Sequence, residues 1–440
     1  MKETIRIAVP AMIESFFGAV VTLIDSKMVS SLGTAAVASI ALTGEPVGLR
    51  LAPFTAINVA TAALIARRKG EGKPRDAHVV LFTSVMMSVI VGALITFFFL
   101  IFSDPLLHFM GSQPDTHDNA VLYFRIISIS TLFTVIQNCI NAAHRGAGYT
   151  KISMQTHLVS TLINVILNYL LIEGHLGFPR LEIFGAALAT AIGMAVASVL
   201  SVLSLFRKNT YLKWSILIGE KVKATWLTVK QIMKLSYSIF VEILLVRVGM
   251  VITSKMTAAL GTAAVAANKI AGNFMSIAAS LASGLHAATV ALVGRSLGEG
   301  RPDRIKSYVG ACRLFGVLLP MPVLILFAIF VRPFFGLFFS DLTVVDLGAT
   351  LTVPVILTIL ISAQQGINMS ILRGAGDNLF TAIIGVITST LVRPLVSYLF
   401  AYLLGLNLFG IWIGVAADNL FTLIISGLRV RSGKWKQIRI

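Results

Sequence analysis

Asp25 is a carboxylate set in an apolar run, and Glu14 stands eleven residues before it. On an α-helix eleven residues are close to three turns, so both acids look out of one face, roughly 16 Å apart. Asn164 and Asn168 share a face through i, i+4 spacing, as do Gln137 with Asn141 and Gln364 with Asn368. An ionisable side chain inside a bilayer costs about 2.5–3.5 kcal/mol on insertion scales, so it lines a cavity or finds a partner. A carboxylate facing amide and hydroxyl oxygens is suited to a proton or a dehydrated cation. No basic residue stands at i±4 of Asp25, which leaves it free for that work.

The amide pairs have a plainer role open to them, hydrogen bonding between helices. Glu242 stands in the second half at the depth of Glu14; Arg247 is the basic residue near it, but five positions along and well round the helix. Together Glu14, Glu242 and the Gln137, Asn141, Gln364 and Asn368 amides are candidates for a second acidic or substrate site. Arg393, beside Pro394, and Asp418 are expected to form a structural ion pair, with substrate contact as the alternative. His286 is read as a packed polar residue, and no His/Cys cluster points to a metal. No Walker motif or other phosphate-binding glycine loop is present, so no cofactor is expected and uphill transport must draw on an ion gradient. An intramembrane enzyme would need a catalytic pair near the midplane, and Glu14 and Asp25 are too far apart to cooperate.

The elements that hold these groups are membrane helices. The chain of 440 residues is 56% hydrophobic and 12% charged, against roughly 25% charged in soluble domains. Apolar runs of about 20 residues, the length of a bilayer core, recur throughout, and only a helical polytopic chain satisfies its backbone there. Twelve helices are expected, at approximately 7–31, 45–66, 78–103, 119–143, 151–172, 184–206, 232–258, 268–294, 305–331, 345–371, 380–403 and 408–429. Pro10, Pro46, Pro53, Pro320, Pro322 and Pro354 mark places where those helices can bend. Cys139 and Cys312 both lie in apolar runs and make no disulfide framework.

The chain is a tandem duplication. Residues 23–38 and 251–266 match at eleven of sixteen positions with no gap. The same shift of 228 carries Glu14 onto Glu242, the Gly70-Glu71-Gly72 loop onto Gly298-Glu299-Gly300, and Arg145-Gly-Ala-Gly148 onto Arg373-Gly-Ala-Gly376. The reading is an N-lobe at 1–206 (six helices), a polar, basic cytoplasmic linker at 207–231 and a C-lobe at 232–440 (six helices). Of 36 Lys and Arg residues, 27 fall at the termini and in the even-to-odd helix loops, while the opposite loops carry acids such as Asp104, Asp115, Asp118 and Asp341. The positive-inside rule then places both termini in the cytoplasm, in a multi-pass protein of the cytoplasmic membrane. It also accounts for the net charge of +17 without nucleic acid, since no basic soluble module is present. Six helices per half give repeats of like orientation, related by a pseudo-twofold axis along the membrane normal, with a cleft between two bundles.

With these features in place, the chain resembles the multidrug and toxic compound extrusion (MATE) family over essentially its whole length. The carriers are Asp25 to Leu32-Gly33, the two Gly-Glu-Gly loops, Arg373-Gly-Ala-Gly-Asp377, Gly185-Ala-Ala-Leu-Ala-Thr190 and Gly410-Ile-Trp-Ile-Gly414. The resemblance implies a two-lobed, V-shaped antiporter that exports amphiphilic, often cationic compounds in exchange for H⁺ or Na⁺; the chain is expected to work as a monomer. It implies that Asp25, Asn164, Asn168 and Thr190 form the cation site and that Glu242 matches a glutamate of the seventh helix. Sodium-coupled members tend to carry an Asp where this chain has Ser362, which directs coupling to the N-lobe. The alternative within the wider superfamily is a flippase for lipid-linked sugar precursors, which would use a cationic cavity around Arg247, Lys255, Lys269 and Arg393.

Overall fold

The structure is a computed structural model describing residues 2–32, 34–110, 112–114, 116–336 and 342–438. Gly33, Asp115 and Asp341, named above, lie outside the described residues. Among the described residues the fold is all-helical: eleven helices are long and apolar enough to cross a membrane, and one bent pair brings the number to twelve. The first half holds α1 (Lys2–Ser30), α2 (Thr34–Gly70), α3 (Pro74–Ile101), α4 (Ser103–Phe109), α5 (His117–Ile129), α6 (Thr131–Gly146), α7 (Thr150–Ile172) and α8 (Glu182–Ser204). After the short α9 (Trp214–Gly219) come α10 (Trp226–Ala259), α11 (Thr262–Gly298), α12 (Asp303–Leu318), α13 (Met321–Gly336) and α14 (Leu342–Thr350). The chain ends with α15 (Thr352–Ala375), α16 (Asn378–Ile387), α17 (Arg393–Tyr398) and α18 (Asn407–Ser432).

Two compact units emerge, Ile13–Ser236 and Met1–Met12 with Tyr237–Ile440. The first turns of α1 therefore go with the second unit, where Ile7, Ala8 and Met12 pack on Leu285, Ala288 and Leu292 of α11. The polar stretch after α8 is fastened to the first unit. Trp214 N–H donates to the Leu205 carbonyl at 2.8 Å, Lys213 N–H donates to His78 Nε2 at 2.8 Å, and Leu212 is fully buried.

The expected fourth helix is two pieces, α5 and α6, bent by 44°. No Pro or Gly lies at the break. Instead Ser130 and Thr131 hydroxyls donate to the Ile127 carbonyl at 2.8 and 3.4 Å, back-bonding that loosens a helix at that point. Arg50 of α2 completes the break: it is 3% exposed and its Nη1 donates to the same carbonyl at 2.7 Å. A guanidinium at a helix C-terminal carbonyl is favoured by the helix dipole. The expected eleventh helix is interrupted by π-helical turns at Thr388–Val392 and Leu399–Leu403 on either side of α17. Pro394 sits in the first turn of α17; it has no N–H and cannot accept a straight helix across it, so the wider turns take up the mismatch.

The repeated Arg-Gly-Ala-Gly motif has one physical explanation in both halves. A Cβ on Gly146 would strike the Ala62 backbone of α2, and one on Gly374 would come 2.8 Å from the Val290 carbonyl of α11. Gly148 and Gly376 have φ of 81° and 89°, the left-handed turn that ends the helix. Gly146→Ala is expected to lower the stability of the purified protein by about 1–3 kcal/mol, the usual cost of overpacking. Gly310→Ala, where a Cβ meets nothing within 4 Å, serves as the control in the same thermal-unfolding assay.

Candidate functional site

Asp25 projects from α1 toward α7. Asn168 Nδ2 donates to Asp25 Oδ1 at 2.8 Å. Asn164, one turn earlier on α7, is assigned with its amide nitrogen toward the same acid, donating to both carboxylate oxygens at 3.2 Å. The reverse assignment would set an amide oxygen against two acceptors. In this orientation the Asn164 oxygen accepts from the Thr190 N–H at 3.2 Å, so α8 backs the pair. Thr190 Oγ1 itself donates one turn back to the Ala186 carbonyl at 2.9 Å. Asn164 and Asn168 are buried, Asp25 is half-buried, and Asn168 Oδ1 is a buried acceptor with no partner. The four residues expected at the cation site thus stand on three helices around one carboxylate.

Two groups absent from the sequence reading stand in a line from it, Tyr123 beside it and Arg50 beyond. Tyr123 of α5 is within electrostatic reach of both Asp25 and Arg50. A lone arginine in the apolar run after Pro46 was the available signal for Arg50. Nothing in the spacing marks Tyr123.

Glu14 faces the same helix as Asp25 but is differently held. Ser153 Oγ of α7 donates to Glu14 Oε1 at 2.9 Å, and Arg145 Nη1 of α6 lies 3.1 Å from the same oxygen. Glu242 has the equivalent arrangement: Arg373 Nη2 of α15 lies 2.7 Å from its Oε1. The basic partner of Glu242 is therefore the motif arginine 131 residues on, and not Arg247 on its own helix. In each half the acid and arginine correspond under the shift of 228. Both are clasps between helices.

The remaining candidates make packing contacts. Asn141 Oδ1 accepts from Thr156 and Ser201, each at 3.3 Å, and Gln137 is buried on the same helix. Arg313 Nη2 donates to Asn368 Oδ1 at 2.8 Å, and Gln364 Nε2 donates to the Arg313 carbonyl at 3.1 Å. Arg393 Nη2 lies 2.7 Å from Asp418 Oδ2, and both side chains are largely buried. Ser362 bonds back to the Ile359 carbonyl at 2.9 Å, and the His286 ring lies against Gly366. The Gly-Glu-Gly loops are also arginine-held, Glu71 by Arg68 at 2.8 Å and Glu299 by Arg295 at 2.7 Å. Burial alone would raise the Glu71 pKa, but the Arg68 hydrogen bond and the charges of Arg68 and Lys73 outweigh it and hold the group below its ordinary value. Among the described acids set within the spans, Asp25 is the one that meets amides with no cation at ion-pair distance.

The MatE family profile matches residues 10–170 and 238–399. A probable multidrug resistance protein NorM of Thermotoga maritima is 25% identical over 440 residues, covering 99% of this chain and 93% of its own. An FAD transporter of Shewanella oneidensis is 26% identical over 330 residues, covering 74% of this chain and 71% of its own. The fold is also that of a solved outward-facing multidrug resistance MATE family transporter of the MOP superfamily, with a TM-score of 0.91 and 23% identity over 99% of this chain and 97% of that one.

Proposed function

The chain belongs to the MatE family, a family of membrane transporters and not of enzymes, and from that premise we propose that it is a cation-coupled exporter of amphiphilic, often cationic compounds working by alternating access. The observation that carries the reading is the environment of Asp25: a carboxylate in a spanning helix, held by two amides and paired with no cation.

The coupling ion, a proton or Na⁺, loads at Asp25. In the unloaded state the acid is an acceptor only, and Asn164 and Asn168 both donate to it. A proton there makes one oxygen a donor, and on this scheme Asn164 turns to present its carbonyl oxygen to it. A sodium ion demands the same reversal, since it takes oxygens and repels N–H groups. Either way the ion changes what α7 and α8 present to one another, through the Asn164 contact with the Thr190 N–H. An ion that binds the drug-free arrangement better biases the two-state equilibrium toward it, and linkage makes drug weaken the ion in equal measure. On the same reading the protein sits in the cytoplasmic membrane with both termini inside, the arrangement its basic loops favour.

The test is efflux of a cationic dye from proteoliposomes under an imposed pH gradient or an imposed sodium gradient, each alone. Efflux under one of them is the expected result and names the ion. Dye movement that responds to neither gradient overturns the proposal.

A further inference from the structure

A second group of chemistry-bearing residues lies in the first unit, beyond the end of α3 remote from the Arg67–Lys73 loop. Asp104 and His108 are four residues apart on α4 and share one side of it. The chain then turns back, pinned by Thr116 Oγ1 donating to the Gln113 carbonyl at 3.1 Å. His117 opens α5 against the first two residues: its Nε2 lies 2.8 Å from Asp104 Oδ1, and its ring stacks on that of His108 with centroids 3.8 Å apart. Ser112 Oγ lies 2.6 Å from His117 Nδ1. One donor atom from each of Asp104, His108 and His117 falls within 4.8 Å of the other two.

We propose that Asp104, His108 and His117 form a binding site for a divalent transition-metal ion of the zinc class. Two imidazoles and one carboxylate are the ligand set such ions take, with a fourth position left for water. Tetrahedral bonds of about 2.0–2.2 Å place ligand atoms roughly 3.4 Å apart, so the present separations close or open by side-chain rotation alone. Asp104 and His108 are exposed and free to make that movement, and they give an ion its entry path. His117 is the fixed member: its side chain is 11% exposed, and Ser112 holds Nδ1 so that Nε2 faces the carboxylate. A partner on the far nitrogen is what orients a metal-ligating histidine. Hard cations such as Ca²⁺ need six or more oxygens, and one carboxylate with two imidazoles does not supply them. Arg125, which donates from Nε to Ser103 Oγ at 2.9 Å, is the positive neighbour that opposes the ion. A bound ion would tie α4 to the start of α5, the half of the broken span that ends at the 44° bend.

The test uses the full-length protein in detergent, freed of any polyhistidine tag, titrated with Co²⁺. The expected result is one Co²⁺ per chain with the intense visible absorption of a four-coordinate ion, displaced by Zn²⁺, and a Zn²⁺-dependent rise in melting temperature. His108→Ala and His117→Gln should each weaken binding at least about tenfold, the low end of what loss of a ligand-orienting partner alone costs; the Gln keeps a donor for Asp104. His175→Ala, at the exposed histidine near Glu173, should leave the titration unchanged. Absence of the four-coordinate spectrum, or binding that survives the double substitution at 108 and 117, overturns the site.

Discussion

Asp25→Asn is expected to reduce gradient-driven efflux to the level of empty proteoliposomes while the protein still accumulates in the membrane. The substitution keeps the shape of the side chain and removes its charge. Asn168 Nδ2, at 2.8 Å from Asp25 Oδ1, still finds an acceptor in the new amide, so the α1–α7 contact survives. What is lost is the switch. An amide takes neither a proton near neutral pH nor a cation with any strength, so α7 and α8 receive no signal from the gradient. Yield and elution profile of the purified variant establish folding, and dye efflux under the effective gradient reads the loss. Efflux at the wild-type rate would remove Asp25 from the mechanism and leave the chain a transporter with its coupling site elsewhere.

Arg373→Met should strongly destabilise the second unit. It leaves Glu242, whose side chain is 10% exposed, as an uncompensated charge among helices, a situation that costs about 3–5 kcal/mol. Glu242 Oε2 already has no hydrogen-bond partner, so nothing stands ready to take the place of the guanidinium. Glu242→Gln combined with Arg373→Met removes both charges, and most of the loss should return, since an apolar pair of similar volume is often no less stable than a buried ion pair. In the first unit Ser153 gives Glu14 a second donor at 2.9 Å, so Arg145→Met should cost less than Arg373→Met. Thermal unfolding of the purified single and double variants forms a double-mutant cycle that isolates the pair term. A double variant no more stable than the singles would overturn the clasp as described.

The spans were legible from hydropathy alone, because a run of 20 apolar residues has no other home than a bilayer. The duplication named Glu14, Glu242, Arg145 and Arg373 as matched positions. It did not pair them, since each partner lies 131 residues from its acid, and the near basic residue on the same helix, Arg247, stands at i+5 and off that face. Asn164 and Asn168 were visible because their spacing shows a shared face, whichever helix they meet. Thr190 came only with the family resemblance, and its contact with Asn164 runs through its backbone, which no side-chain pattern reveals. The bend at Ser130 was missed for a related reason: hydroxyl back-bonding leaves the hydropathy profile smooth where proline would have interrupted it. The grouping of Asp104, His108 and His117 depends on a turn between two short helices, and such closure has no periodic signature.

The acid–arginine bridge occupies the same register in both halves. Asp25 differs: the position matching it is Thr253, whose hydroxyl donates to the Gly249 carbonyl at 2.9 Å. The bridge is repeated and the ionisable centre is not. On the proposed scheme this sets the stoichiometry, because one loadable carboxylate among the described residues admits one ion per turnover. The steepest accumulation ratio such a pump can sustain for a neutral cargo is then the electrochemical gradient of a single ion.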